Sequence, residues 1–193
     1  MGKHKDSKRE DVLVAAEEVF LNKGLKGART AEIAQKAGVT HAVLHYWFNT
    51  KEDLFNVVLQ RKMEDFRESV VVAFSKTEGS IEERIEDAVG IHFDFIRSHL
   101  ELPRFIVNEV CCNPDNIETV KEAMASGIND KLSDPDIPNA ATIVADIISL
   151  NLSAFLMAPV IAKLGFCTED EFLDHRRQEN IDTILLKLKK SSL

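Results

Sequence analysis

Cysteine, glycine, proline and polar-tipped rings are all scarce in this chain. Three cysteines in 193 residues do not make a disulfide framework, and no C-x-x-C or zinc-like Cys/His spacing occurs. Reduced thiols fit a cytoplasmic protein, and Cys112 reads as a buried thiol used for packing. G-x-S-x-G, H-E-x-x-H, P-loop and Rossmann patterns are all missing. The sequence therefore indicates no enzyme, and neither a metal nor a cofactor is expected. Eight glycines and five prolines leave few interruptions, and there is no alternating β pattern of useful length, so the fold is predicted to be all-α. A membrane span needs roughly 20 apolar residues. The charge-free segment Ile147 to Ala162 has sixteen, interrupted by Asn151 and Pro159, so no membrane partner is expected. The first ten residues are polar and lack the apolar region of a secretory signal.

What is present is unevenly spread. The net charge is −8, yet residues 1–51 hold nine Lys/Arg against six Asp/Glu, while residues 52–193 hold fifteen against twenty-six. A mildly basic first quarter on an acidic body suits a small nucleic-acid-binding head on a larger domain of other purpose.

Helical periodicity runs the length of the chain. Ser7 and Glu10 read as a capping box, followed by Val12, Leu13, Ala16, Val19 and Phe20 on one stripe, with Gly24 as the stop. Thr30 is placed to cap a short helix ending at Ala37. Gly38 ends it, and Thr40 caps a second short helix, His41 to Trp47. Thr50 to Asp53 begins a long helix marked by Phe55, Leu59, Met63, Phe66, Val70 and Phe74. Ser80 and Glu83 cap another, with Ile85, Ala88, Val89 and His92 inward. Pro103 opens a helix to Cys112, and Asn113-Pro-Asp starts the next. Residues 133–139 read as a loop, 140–164 as an apolar helix, and Thr168 with Glu171 caps the last.

The only tyrosine and the only tryptophan, Tyr46 and Trp47, lie side by side, behind His41 and His45. Two short helices joined by A-G-V-T form a helix-turn-helix, whose second helix enters the major groove. Val39, Leu44 and Phe48 can pack it inward. His41, Ala42, His45 and Tyr46 then face outward, where His41 can reach a base acceptor and Ala42 allows close approach or touches a thymine methyl. Lys51 can pair with a phosphate.

The string T-A-E-I-A-Q-K-A-G-V-T-H-A-V-L-H-Y-W-F-N-T-K-E-D-L-F resembles the N-terminal domain of the tetracycline-repressor (TetR) family of transcriptional regulators. The likeness covers about Ser7 to Phe55. It implies a three-helix DNA-binding domain, residues 1–52, followed by a larger helical effector-binding and dimerisation domain, residues 53–193. It also implies DNA contacts at Thr30, Thr40, His41, Ala42, His45, Tyr46, Trp47 and Lys51. Two positions depart from the family: His45 stands for a tyrosine, and Trp47 for a more usual histidine or tyrosine. A histidine at position 45 can confer pH sensitivity.

In the body, helices 140–164 and 169–190 are expected to form a four-helix homodimer interface. The partners expected are therefore double-stranded DNA, a second copy and an unknown small-molecule effector. An effector pocket is expected from Phe66, Val70, Phe74, His92, Phe95, Phe105, Asn108, Glu109 and Cys112, closed by Phe155 and Met157; plain core packing is the competing reading for each ring. Glu109, a carboxylate in an apolar setting, needs a partner. An ion pair with Arg97 or Arg104 is favoured over a backbone amide or a cationic ligand. The expected activity is that of a repressor released from a palindromic operator by its effector. A helical interaction module without DNA contact is the alternative, and its binding would not weaken with salt.

Overall fold

The computed structural model describes residues 2–132, 137 and 139–191, and all regular structure among them is helical. In chain order these are α1 (Gly2–Gly27), α2 (Thr30–Lys36), α3 (His41–Trp47), α4 (Lys51–Ala73), α5 (Ile81–Arg97), α6 (Leu102–Ile106), a π turn (Val107–Cys111), a 3-10 turn (Pro114–Asn116), α7 (Ile117–Leu132), α8 (Ala140–Lys163) and α9 (Glu169–Ser191). Of the loop read over 133–139, only Ile137 and Asn139 lie among the described residues.

Four helix starts sit where capping chemistry puts them. Thr40 Oγ1 accepts from Val43 N–H. Thr50 and Asp53 exchange reciprocal bonds of 3.0 and 3.1 Å, and Ser80 with Glu83 forms a complete capping box. Thr168 and Glu171 do the same for α9. Each cap satisfies amides that the first helical turn leaves open.

Two expected caps are corrected. Ser7 lies inside α1, which begins at Gly2, so it caps nothing. Thr30 is the first residue of α2, and Arg29 holds the cap position without a side-chain bond.

By internal packing the chain divides into two units. The first is Met1–Glu64 with Arg104–Ala123, and the second is Asp65–Pro103 with Met124–Leu193. This division falls inside α4.

In the first unit α1 buries Val12, Leu13, Ala16, Val19 and Phe20. Phe20 meets Phe55 edge-on at 5.2 Å, and Phe55 lies 6.1 Å from Phe105. Gly24 breaks α1 with φ 63° and ψ 177°, a backbone region essentially reserved for glycine. Beside this break lies Glu109, buried within the π turn. Its carboxylate accepts from Leu25 N–H at 3.4 Å, and an added Cβ on Gly24 would stand 2.6 Å from Glu109 Oε1. The partner of this carboxylate is thus a backbone amide and not the favoured ion pair. The π turn places Glu109 beside the break in α1 at Gly24.

In the second unit α5, α8 and α9 enclose a core of Phe93, Ile96, Ala154, Phe155, Ala158 and Leu173, with Phe93 and Phe155 rings 4.7 Å apart. Among the described residues α8 alone is long and apolar enough to cross a membrane. One face of it is core: Ile143, Val144, Ile147, Asn151, Ala154, Phe155 and Ala158 are buried, while Met157 and Val160 are exposed.

A polar chain threads this core. Asn151, fully buried, donates to Val89 O at 3.0 Å and lies 3.1 Å from His92 Nδ1. Asn180 donates to Asn151 Oδ1 at 3.0 Å and accepts from Arg176 at 2.9 Å. Because the second Asn151 amide hydrogen points at Nδ1, the neutral His92 ring carries its proton on Nε2. That Nε2 is buried and has no hydrogen-bond partner among the described residues.

Burial holds the His92 pKa down at about 4, against an ordinary 6.5. The unfolded chain therefore takes up a proton below pH 6.5 that the folded chain refuses until about pH 4. Stability is full above that window and falls as pH drops through it, by about 3 kcal/mol from this one group. Urea unfolding from pH 7.5 to 4 is expected to show this loss, and His92→Gln to flatten it relative to the parent chain.

Candidate nucleic-acid interface

The second short helix is placed by a glycine turn. Ala37 caps the end of α2, and Gly38 takes φ 63° with nothing within 4 Å of where its Cβ would be, so the backbone angle alone requires glycine. Gly38 N–H donates to Gln35 O and Val39 N–H to Ala34 O, the pair of bonds that defines a Schellman stop. From there α3 packs on α1 and α2 through Leu44 and Phe48, both buried. The Arg9 guanidinium of α1 sits 5.1 Å over the Phe48 ring.

The opposite face of α3 is open. His41, Ala42, His45 and Tyr46 are exposed, Tyr46 by 67%. The His41 and His45 rings meet edge-on at 4.4 Å, one helical turn apart. Trp47 is half-buried, with its ring 6.3 Å from Tyr46, and so stands between the packed and open faces.

Three side chains are already engaged. His41 Nε2 lies 2.9 Å from Thr30 Oγ1, joining the start of α2 to the tip of α3. Lys51 Nζ donates to Ala28 O at 3.3 Å. His45 Nδ1 lies 3.2 Å from the Asn49 carbonyl, which can only accept, so Nδ1 is the donor. The neutral ring then offers a bare Nε2 lone pair, and only the protonated ring can donate to a phosphate. A tyrosine in its place, which the resemblance implies, would donate through its hydroxyl at neutral pH. Sequence reasoning placed His41, His45, Tyr46 and Trp47 on α3 and Lys51 at the start of α4, and set Thr30 one position outside α2. It missed the Thr30–His41 bond, because contacts between residues eleven apart have no local signature.

The residues read as effector contacts are distributed between the two units. Phe105, Asn108, Glu109 and Cys112 belong to the first. There Phe105 packs on Phe55, Glu109 holds Leu25, and Asn108 and Cys112 are exposed. The expectation that Cys112 is buried is thereby corrected: it follows the last residue of the π turn, where the helix surface is open. In the second unit Phe66 meets His92 edge-on at 5.5 Å, with Val70 and Phe74 buried. Phe95 stacks on His99, Phe155 packs on Phe93, and Met157 is 45% exposed.

The sequence pattern described as "Bacterial regulatory proteins, tetR family" matches residues 12–58, which include α2, α3 and the turn between them. The HTH-type transcriptional activator FasR of Mycolicibacterium smegmatis is 34% identical over 133 residues, covering 67% of this chain and 60% of that protein. The chain thus spans less than two thirds of that relative's length. A TetR family transcription regulator from Marinobacter aquaeolei superposes with a TM-score of 0.65 at 18% identity, over 94% of this chain and 97% of that one. The transcriptional regulator FadR from Bacillus subtilis, solved in complex with stearoyl-CoA, superposes with a TM-score of 0.62 at 16% identity, over 91% and 97%. At these identities the two structures establish the fold.

Proposed function

Since the chain belongs to the tetR family of bacterial regulatory proteins, we propose that it is a sequence-specific, DNA-binding transcriptional regulator. We read it as a homodimeric repressor that leaves a palindromic operator when a small molecule binds. One observation carries the DNA-binding part. Within the matched segment, a capped recognition helix buries Leu44 and turns His41, Ala42, His45 and Tyr46 outward.

In this reading residues 1–52 are the DNA head, and residues 53–193 bind the effector and the second subunit. Thr30, Thr40, Tyr46 and Lys51 position the backbone, and His41 reads a base. Met157 and Val160 of α8, with Leu186 of α9, leave apolar surface exposed. A second copy is the occupant proposed, because a two-fold pair of heads would set the recognition helices about 34 Å apart, one turn of the duplex.

For the effector, the buried and unpartnered His92 Nε2–H favours a ligand that brings a hydrogen-bond acceptor into an otherwise apolar site beside Phe66. A long-chain acyl thioester has both an apolar tail and a carbonyl acceptor. It is the ligand class held by the Bacillus subtilis neighbour, and so it is the first probe to try.

The test is selection from a randomised duplex library at low and high salt. A palindrome is expected, lost at high salt as phosphate contacts release counterions. On that duplex, His41→Ala with Tyr46→Phe is expected to weaken binding about tenfold or more and to relax one base position. Unchanged affinity and base preference would refute α3 as the reading helix.

A further inference from the structure

The π turn ends at Cys111 and is followed at once by Cys112, and both cysteines are exposed. DNA recognition makes no use of them. π turns are rare and gather at functional positions. In this one the second cysteine helps define the turn, since Cys112 N–H closes it on Val107 O at 3.0 Å. Three residues back, Glu109 sends its carboxylate to the Leu25 amide at the break in α1, and its carbonyl accepts from Asn116 Nδ2 at 2.5 Å. One short turn therefore joins an exposed dithiol to the end of α1, the helix on which α2 and α3 pack.

Thiolates select soft, thiophilic centres, and exposure gives these two access to solvent. Cys167 is partly buried and has no neighbouring cysteine in sequence. Consecutive side chains on a helix point away from one another. Bringing both sulfurs to a single centre turns the backbone between them, at the residue whose N–H bonds Val107 O.

We propose that Cys111 and Cys112 form a vicinal-dithiol site for a trivalent, thiophilic centre of the monosubstituted-arsenical class, and that chelation unwinds the π turn and draws Glu109 off the end of α1. The chemistry balances without a redox partner. An arsenoxide, R–As=O, meets two thiols, two As–S bonds form, and the oxygen leaves as water with both thiol protons. Arsenic remains trivalent. The effect on DNA rests on the DNA-binding reading, whereas the site itself does not.

Phenylarsine oxide added to the full chain tests this, read by intact mass, by hydrogen exchange at the Leu25 amide, and by binding to the selected duplex. One phenylarsenic unit per chain is expected, kept against excess monothiol and removed by a dithiol. Cys111→Ser and Cys112→Ser should each lose it, and Cys167→Ser should keep it. Leu25 exchange is expected to rise, and duplex affinity to fall about tenfold, in the parent chain and in Cys167→Ser, but not in Cys111→Ser or Cys112→Ser. Equal uptake by the parent and by Cys111→Ser would overturn the site. Uptake with unaltered Leu25 exchange would overturn the link to α1. If the untreated chain bound no duplex, the DNA reading would fail, while mass and exchange would still decide the proposal.

Discussion

Asn151→Ala is expected to be among the most damaging single substitutions in the second unit, costing about 3–4 kcal/mol, because each buried polar group left without a partner costs about 1–3 kcal/mol. The side chain is fully buried and serves Val89 O, His92 Nδ1 and Asn180 at once. Truncation strands the His92 acceptor and the Asn180 donor, and it opens a void between α5, α8 and α9. For a chain of this length the loss corresponds to roughly 10 °C in Tm. Thermal or urea unfolding of Asn151→Ala, Asn180→Ala and the double variant gives the decisive comparison. The double variant is expected to cost clearly less than the two single costs added together, since removing both partners leaves fewer stranded groups. Additive costs would show that the two asparagines do not act through each other.

Gly24→Ala is the second large effect expected, at about 3 kcal/mol. Part is backbone: φ 63° with ψ 177° is a conformation that costs a residue with a Cβ about 1–3 kcal/mol. The rest is contact, because the new methyl would stand 2.6 Å from Glu109 Oε1. The two contributions separate in a cycle with Glu109→Ala. Alone, that change is expected to cost about 1 kcal/mol, the worth of an ordinary hydrogen bond. Placed under Gly24→Ala it should recover the contact share and leave the backbone share. If Gly24→Ala costs the same with and without Glu109, the carboxylate is not pressed against the break.

The parts of this molecule that the sequence made legible are those governed by neighbours in the chain. Thr40, Thr50, Ser80 and Thr168 start helices because a side-chain oxygen finds an amide three residues on, a bond that needs no tertiary context. Ser7 carries the same S-x-x-E pattern and caps nothing. No breaker precedes it, so α1 continues through it toward Gly2. The outward face of α3 was legible because helical phase and a buried Leu44–Phe48 seam determine it together. The His92–Asn151–Asn180 chain was not. Asn151 looked like an interruption in an apolar run, and its partners lie 59 and 29 residues away. The π turn was equally hidden, since one residue of extra register has no compositional signature. Glu109 then found a backbone amide that no side-chain pairing rule would suggest.

The bond between Thr30 and His41 bears on the speed and selectivity of reading. A free histidine on an exposed helix samples several rotamers, and freezing a side chain at an interface costs about 0.5–1.5 kcal/mol. Here the hydroxyl of α2 holds the ring before any duplex arrives, so that entropy is lost during folding and not at encounter. On the proposed reading, the tip of α3 would meet DNA as a rigid probe, and a duplex presenting the wrong base edge would find no alternative pose to settle into. If His41 reads a base as proposed, discrimination at that base pair would depend on a threonine that does not itself read one.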